Sequence, residues 1–381
     1  MRVTVVGVSE TSLEVEVPDG TWFPDVEPTI LALRSQGIDT AVLTCLSEDP
    51  LTYQVLPGTG VPELPAWTRP EWYDEALPWI AEHVEVTGPW TQVRSWGLSN
   101  VLRVPTADGD VYFKAIAHST TIEPTRPDAL PFLFAHEPVF LEKASSDRPG
   151  ELPAPLAIDS ERAWMLLPDL GTPLAAETDI EVWIDAVRRH ARLQRSYATH
   201  PERLLDISCV DRRLAVLDAG LDGLLGPNPM TDQLEPHERA LLPDRAKKLH
   251  EAITELIAIG IPETLLHGDI HPRNIAVRGN QVLAFDWTDA SLSHPFLDMV
   301  TFTEGERSPL STDQRVLDAY LTEWEAYASP ADLRRALALA TQLGTLHQTM
   351  TYAHLPDHLT GPSKTSMQRG GLWWLRQLLK P

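Results

Sequence analysis

Leu13, Val15 and Val17 alternate with Ser12, Glu14 and Glu16, the period of two expected of a strand with one buried face. Met1-Arg2-Val3-Thr4 opens straight into another strand, Pro18-Asp19-Gly20 turns the chain, and Ile30 to Leu33 predict a short helix ending at Gly37. Ala41 to Leu46 and Tyr53 to Leu56 read as further strands, and the proline-rich string from Pro57 to Pro70 as a stiff linker. From Glu71 to Val84 the period changes: Trp72, Ala76, Trp79, Ile80 and Val84 share one helical face, with a kink expected at Pro78. A face this aromatic predicts core packing rather than a ligand site.

Val93 to Val104 reads as strand, tight turn, strand, and Ala107-Asp108-Gly109-Asp110 as the next hairpin turn. Val111 to Ala115 then forms a third strand, and Ala163 to Leu167 a fourth that Pro168-Asp169-Leu170-Gly171 breaks. Beyond it helices dominate. Glu181 to Tyr197, Arg245 to Ile259, Thr312 to Tyr327 and Ala331 to His354 all carry apolar residues at spacings of three and four. One interruption stands out, a hairpin of Asn274 to Val277 and Val282 to Phe285 around Arg278-Gly279-Asn280-Gln281.

At 381 residues the chain suits two or three domains with a sizeable core. It contains no run of about eighteen apolar residues and no signal peptide, so a cytoplasmic protein is expected. Cys45 and Cys209 form no CxxC site and no disulfide framework, which leaves them to packing. The net charge of −23 argues against nucleic acid and anionic membranes as partners and permits a cationic substrate.

The chemistry concentrates beside the hairpin, in His267-Gly268-Asp269-Ile270-His271-Pro272-Arg273-Asn274 and Leu283-Ala284-Phe285-Asp286-Trp287. An Asp, an Asn five residues on and a second Asp at a strand end are what phosphoryl transfer from Mg-ATP to a hydroxyl requires. Asp269 can accept the hydroxyl proton, while the Asn274 amide oxygen and the Asp286 carboxylate are hard ligands for Mg²⁺. His267, Asp269 and His271 also alternate as transition-metal ligands do, which keeps a metal-dependent phosphoesterase in view. The bland alternative is a set of turn-forming residues around a buried histidine.

Upstream, Lys114 lies on the third strand of the sheet, where an ammonium can reach nucleotide phosphates. No G-x-x-x-x-G-K-[ST] loop occurs, so the phosphates would be cradled by backbone N–H groups around Gly97, Ser99 and Asn100. Glu137 is the candidate to pair with Lys114, and Glu142 the second choice. Pro138, expected at the first helical position, would put Glu137 at the helix cap. Asp298 is expected to brace the catalytic loop or to cap a helix.

The H-G-D, four residues, N loop, with an aromatic residue after the second Asp, resembles the aminoglycoside phosphotransferase and choline kinase superfamily of small-molecule kinases. Trp287-Thr288 stands where protein kinases carry Phe-Gly, and Arg273 where many small-molecule kinases carry Gly, departures that weigh against a protein substrate. The resemblance covers roughly residues 87 to 330 and implies an α+β, bilobal, protein-kinase-like fold. Residues 1–65 would be an extra small α/β cap and 66–86 a linker and helix; 87–168 would be the β-rich N-lobe and 169–381 the helical C-lobe with the acceptor pocket. It also implies an adenine site in which the Pro168 carbonyl accepts and the Leu170 N–H donates. The expected reaction phosphorylates a hydroxyl of a small molecule: an aminoglycoside or other antibiotic, a sugar or an amino alcohol. Asp289, Glu304 and Glu306 are carboxylates near enough in sequence to meet an amine, with a solvated loop as the alternative reading. The competing reading is a pseudokinase that binds nucleotide without turnover.

Overall fold

The computed structural model describes residues 1–8, 12–58, 65–117, 134–304 and 308–380. The described chain divides into two compact units.

The first unit begins with β1 (Arg2–Val6), β2 (Leu13–Glu16), α1 (Glu27–Ser35), β3 (Val42–Glu48) and β4 (Leu51–Val55), whose strands form a sheet in the order β2-β1-β4-β3. β1 runs antiparallel to β2 and parallel to β4. The alternation read from the sequence holds here, with Val3, Val5 and Val15 buried while Glu14 and Glu16 face water. Thr29, Ile30 and Leu33 are the buried side of α1, and Gly37, at φ +80°, turns the chain just beyond its end.

Next come α2 (Pro70–His83), β5 (Thr91–Ser95), β6 (Ser99–Thr106), β7 (Gly109–Ile116), β8 (Ala157–Asp159) and β9 (Trp164–Pro168). The five strands make an antiparallel sheet in the order β5-β6-β7-β9-β8. β8 was not legible in the sequence: three half-buried residues carry too little pattern. Trp72 and Trp79 of α2 pack edge-on or tilted against Phe113 and Trp164, with ring centroids 5.6–6.0 Å apart. The aromatic face is therefore core, as its spacing predicted. Pro78 lies inside α2 without ending it. Residues 59–64 of the expected linker lie outside the described residues, and its end is not a free spacer, because Trp67 is buried in the same aromatic cluster. The part of α12 (Gly361–Leu378) up to Met367 belongs to this unit, where the Gly97 N–H donates to Ser363 Oγ at 2.9 Å.

The second unit holds α3 (Glu137–Asp147), β10 (Thr172–Pro173), α4 (Ile180–Tyr197), α5 (Arg203–Asp206), β11 (Val210–Asp211), α6 (Leu214–Leu225), α7 (Pro236–Arg239) and α8 (Leu242–Ile259). It continues through β12 (Thr264–Leu266), β13 (Ile275–Arg278), β14 (Gln281–Ala284), β15 (Ser291–Ser293), α9 (Asp298–Glu304), α10 (Gln314–Thr322), α11 (Pro330–His354) and the end of α12. Asp179 caps α4 by accepting from the Glu181 N–H, and Gly260, at φ +86°, closes α8. α10 is shorter than its periodicity suggested. The chain leaves the helix after Thr322 in a series of turns, yet Trp324 stays fully buried, so a helical spacing of apolar residues outlasts the helix itself. Two small sheets, β10-β13-β14 and β11-β15-β12, sit among these helices, and their strands carry the loops described next.

Candidate active site

β12 is a three-residue strand, fully buried and held antiparallel to β15, and it delivers His267-Gly268-Asp269. Gly268 has φ +86°, and a Cβ built there would lie 2.6 Å from Cβ of Asp289. Glycine is thus required twice over, by backbone conformation and by the close approach of the next loop. A short 3-10 turn, Pro272–Asn274, then leads into β13.

Asp298 holds this loop from behind. It is buried, one oxygen accepts the Gly268 N–H at 2.8 Å, and the other accepts the His267 N–H at 3.0 Å, His190 Nε2 at 2.8 Å and Gln194 Nε2 at 2.9 Å. It is the first residue of α9, with helical backbone, and its side chain serves the loop and α4 rather than capping the helix, so of the two sequence expectations the structure gives the brace. Gln348 of α11 adds a bond to the Gly268 carbonyl.

His267 is fully buried and neutral. Its Nδ1 accepts the Asp269 N–H at 3.3 Å and its Nε2 donates to the Phe285 carbonyl at 3.0 Å. Since one partner only donates and the other only accepts, the tautomer is fixed and neither nitrogen is left for a metal. That removes His267 from the alternating ligand set of the phosphoesterase reading. Burial drives its pKa down to about 4, opposed by the Asp298 charge. With the folded pKa below the ordinary 6.5, the folded protein binds fewer protons than the unfolded chain between those values. This contribution to stability is complete above about pH 6.5 and is lost as the pH falls toward 4. The expected NMR titration therefore keeps the His267 ring neutral at pH 5.5, whereas a midpoint near 6.5 would contradict the buried, doubly bonded ring.

Asn274 is buried, and its Nδ2 donates to the Asp269 carbonyl at 3.0 Å, which turns the amide oxygen the other way. Its own backbone carbonyl accepts the Phe285 N–H at 2.8 Å, extending the β13-β14 ladder by one pair and bringing Asn274 alongside the approach to Asp286. Asp286 has φ +63°, a left-handed conformation that asparagine and aspartate tolerate better than other non-glycine residues. Trp287 anchors it from the far side: its ring is fully buried 4.4 Å from that of His267, and its indole N–H donates to the Ala284 carbonyl at 2.9 Å. The Asp269 side chain is 44% exposed, open to an incoming molecule, with His271 Nε2 3.8 Å from its carboxylate.

Glu137 is the first residue of α3, with His136 at the cap, one position later than the Pro138 argument gave. It is fully buried, and its carboxylate accepts the Trp287 N–H at 2.8 Å. In the second unit, then, Glu137 is bonded to Trp287, and Asn274 is bonded to Asp269 and to Phe285 just before Asp286. In the first unit Lys114 lies in the middle of β7, opposite Val101 of β6 and Met165 of β9, and Gly97, Ser99 and Asn100 form the β5-β6 turn and the start of β6. Pro168 ends β9 opposite Val111, whereas Leu170 belongs to the second unit.

The sequence missed a buried cation beneath the loop. Arg212 is buried, donates to Thr351 Oγ1 at 2.6 Å and to the His347 carbonyl at 2.9 Å, and has its pKa lowered to about 10 by burial, with Asp289 opposing. Asp289 is accordingly not a solvated loop residue: one of its oxygens is buried and it packs on Gly268. Glu304 ends α9, and Glu306 lies outside the described residues. No periodic signal marks Arg212, because it sits in a connection between elements.

A sequence model of the phosphotransferase enzyme family, APH, matches residues 96–339, so the chain belongs to that family. Among solved structures it is similar to a choline/ethanolamine kinase family protein from Mesorhizobium loti, 17% identical with a TM-score of 0.54 over 81% of this chain and 95% of that one. A macrolide 2'-phosphotransferase from Brachybacterium faecium matches at 17% identity and TM-score 0.52, over 78% of this chain and 97% of the other. The Plasmodium vivax ethanolamine kinase matches at 8% identity and TM-score 0.55, over 82% and 88% respectively. Together these give the chain the α+β, protein-kinase-like fold. No curated protein matches in sequence.

Proposed function

We propose that this protein transfers the γ-phosphoryl group of ATP to a hydroxyl of a small molecule. The observation that carries the reading is the half-exposed Asp269 on a loop whose backbone is clamped by Asp298 and whose far end, at Asn274, is bonded to Phe285 just before Asp286. In this reading Asp269 orients the acceptor hydroxyl and takes its proton. Asn274 and Asp286 would hold Mg²⁺, and the donor set fits: two hard oxygens from adjacent strand ends, with phosphate and water left to complete an octahedron. When bound, the ion would neutralise charge on the phosphates. Glu137 keeps Trp287, and with it Asp286, in register.

Lys114 and the backbone of Gly97, Ser99 and Asn100 bind the phosphates, and Pro168 and Leu170 meet adenine. Residues 87–168 would then serve the nucleotide and 169–381 the acceptor, with 1–65 as a cap and 66–86 joining it. The likeness to choline, ethanolamine and macrolide kinases supports a small polar acceptor, and the net charge of −23 is compatible with a cationic one. A turnover screen with Mg-ATP and aminoglycosides, macrolides, sugars and amino alcohols, followed by phosphorus NMR, tests the proposal. Labelling of a protein hydroxyl with every small acceptor inert would refute it, and nucleotide binding with no acceptor turned over would favour a pseudokinase.

Lys114→Ala should lower phosphotransfer by roughly a hundredfold or more, the scale of one lost electrostatic contact to a transferring phosphoryl group. Stability should change by less than about 1 kcal/mol, since the half-buried lysine contributes little to the sheet core. Parallel activity and melting measurements separate the two, and near wild-type activity would exclude Lys114 from the site.

A further inference from the structure

Trp96, Gly97 and Leu98 make the turn between β5 and β6, and residues from outside the five-stranded sheet hold it on two flanks, all within the first unit. β5 is an edge strand, and residues 24–26, between β2 and α1, pair along its open side. The Val26 N–H donates to the Val93 carbonyl at 3.2 Å and the Ser95 N–H to the Pro24 carbonyl at 2.9 Å, with Asp25 bridged antiparallel to Arg94. Trp96 packs on the core of the β1–β4 sheet and meets the Trp22 ring edge-on at 5.2 Å. Its carbonyl accepts the Trp67 indole N–H at 3.0 Å, and its own indole N–H closes back on Ser99 Oγ at 3.0 Å. Gly97 meets the other flank. Its N–H donates to Ser363 Oγ, and a Cβ built there would lie 2.7 Å from Leu359 Cδ2.

A turn with a single glycine cannot adapt its backbone as a glycine-rich loop does, so its shape is set by what packs on it. Trp22 separates that role from the packing of the N-terminal core. It is 39% exposed, and the rings and cations it meets among the described residues are its neighbour Phe23, Trp96 and the Arg94 guanidinium, 5.6 Å from its centroid. Arg94 is held in turn by Asp25 at 3.0 Å. We propose that the β1–β4 sheet with α1 is a built-in clamp on the β5–β6 turn, in which Trp22 is a positioning residue that acts through Trp96 and Arg94 and thereby sets nucleotide affinity. The consequence for nucleotide rests on the phosphotransfer proposal, in which this turn meets the phosphates.

Hydrogen exchange on the isotopically labelled full chain, without nucleotide, reads the clamp directly. Trp22→Ala should speed exchange of the Trp96 and Gly97 amides about tenfold, the scale of one aromatic pair with its buried area, while β3, β4 and β7 keep the rates of the parent. Trp22→Phe, which keeps an aromatic edge for Trp96, should restore most of the protection. Calorimetry should show Mg-ATP binding to Trp22→Ala about tenfold more weakly, the loss expected when a preorganised loop must be ordered on binding, and to Trp22→Phe nearly as in the parent. Unchanged Trp96 and Gly97 exchange in Trp22→Ala would overturn the proposal, and so would acceleration spread evenly over β3 and β4, which would make Trp22 a stability residue. The phosphate assignment fails by a different sign: Mg-ATP would leave the Ser99 and Asn100 amide signals of the parent unmoved, and the exchange rates alone would then uphold or overturn the clamp. If those signals move and Trp22→Ala still binds Mg-ATP like the parent, the proposed control of affinity is refuted. Should Trp22→Ala fail to fold, Trp22→Leu carries the same comparison.

Discussion

Asp269→Asn is expected to lower phosphotransfer by roughly 10²–10⁴, the range for loss of a positioned general base, while Mg-nucleotide affinity stays near that of the parent. The side chain is 44% exposed, and the loop around it is held by backbone bonds to Asp298 and by the Asn274 amide, none of which uses the Asp269 carboxylate. The substitution therefore removes a proton acceptor while these backbone bonds stay in place. Calorimetric titration with Mg-ATP and a turnover assay on the same preparation test this. If affinity fell in step with turnover, Asp269 would belong with the phosphates and not with the acceptor.

Asp286→Asn should fail differently, with the magnesium needed for half-maximal turnover rising on the order of a hundredfold as an anionic ligand becomes neutral. The backbone argument makes this a clean comparison. Asparagine accepts the left-handed φ of +63° almost as readily as aspartate, so the fold should be spared; Asp286→Ala would add about 1–2 kcal/mol of conformational strain to the same loss of charge. High magnesium should partly restore Asp286→Asn and leave Asp269→Asn inactive. The opposite pattern would exchange the roles assigned to the two carboxylates.

These variants separate because the site is built from two kinds of information. The catalytic loop and the hairpin behind it are local in sequence, and their spacing was readable: Asp269 to Asn274 is one tight turn, and Arg278-Gly279-Asn280-Gln281 reverses the chain so that Asp286 returns to the same end. The strand alternation in β1 and β2 and the aromatic face of α2 were equally legible, because period two or 3.6 over several residues needs no partner to be recognised. Short elements were not. β8, β11, β12 and β15 have two or three residues each, too few to show a period, and exist because neighbouring strands satisfy their backbone groups.

By itself, then, the sequence determined the family, the longer strands and helices and the residues proposed for phosphoryl transfer, since these depend on residue type and short-range spacing. Tertiary structure alone decided how that chemistry is held. It made Glu137 a buried acceptor for the Trp287 N–H rather than an exposed cap residue, fixed His267 as a neutral tautomer, drew His190 and Gln194 of α4 onto Asp298, and buried Arg212 beside Asp289. Apart from the Asp269 N–H on His267, each of these contacts joins residues well separated in the chain, and the desolvation that sets their charge and hydrogen bonding arises only when the elements pack; no periodicity along the sequence encodes it.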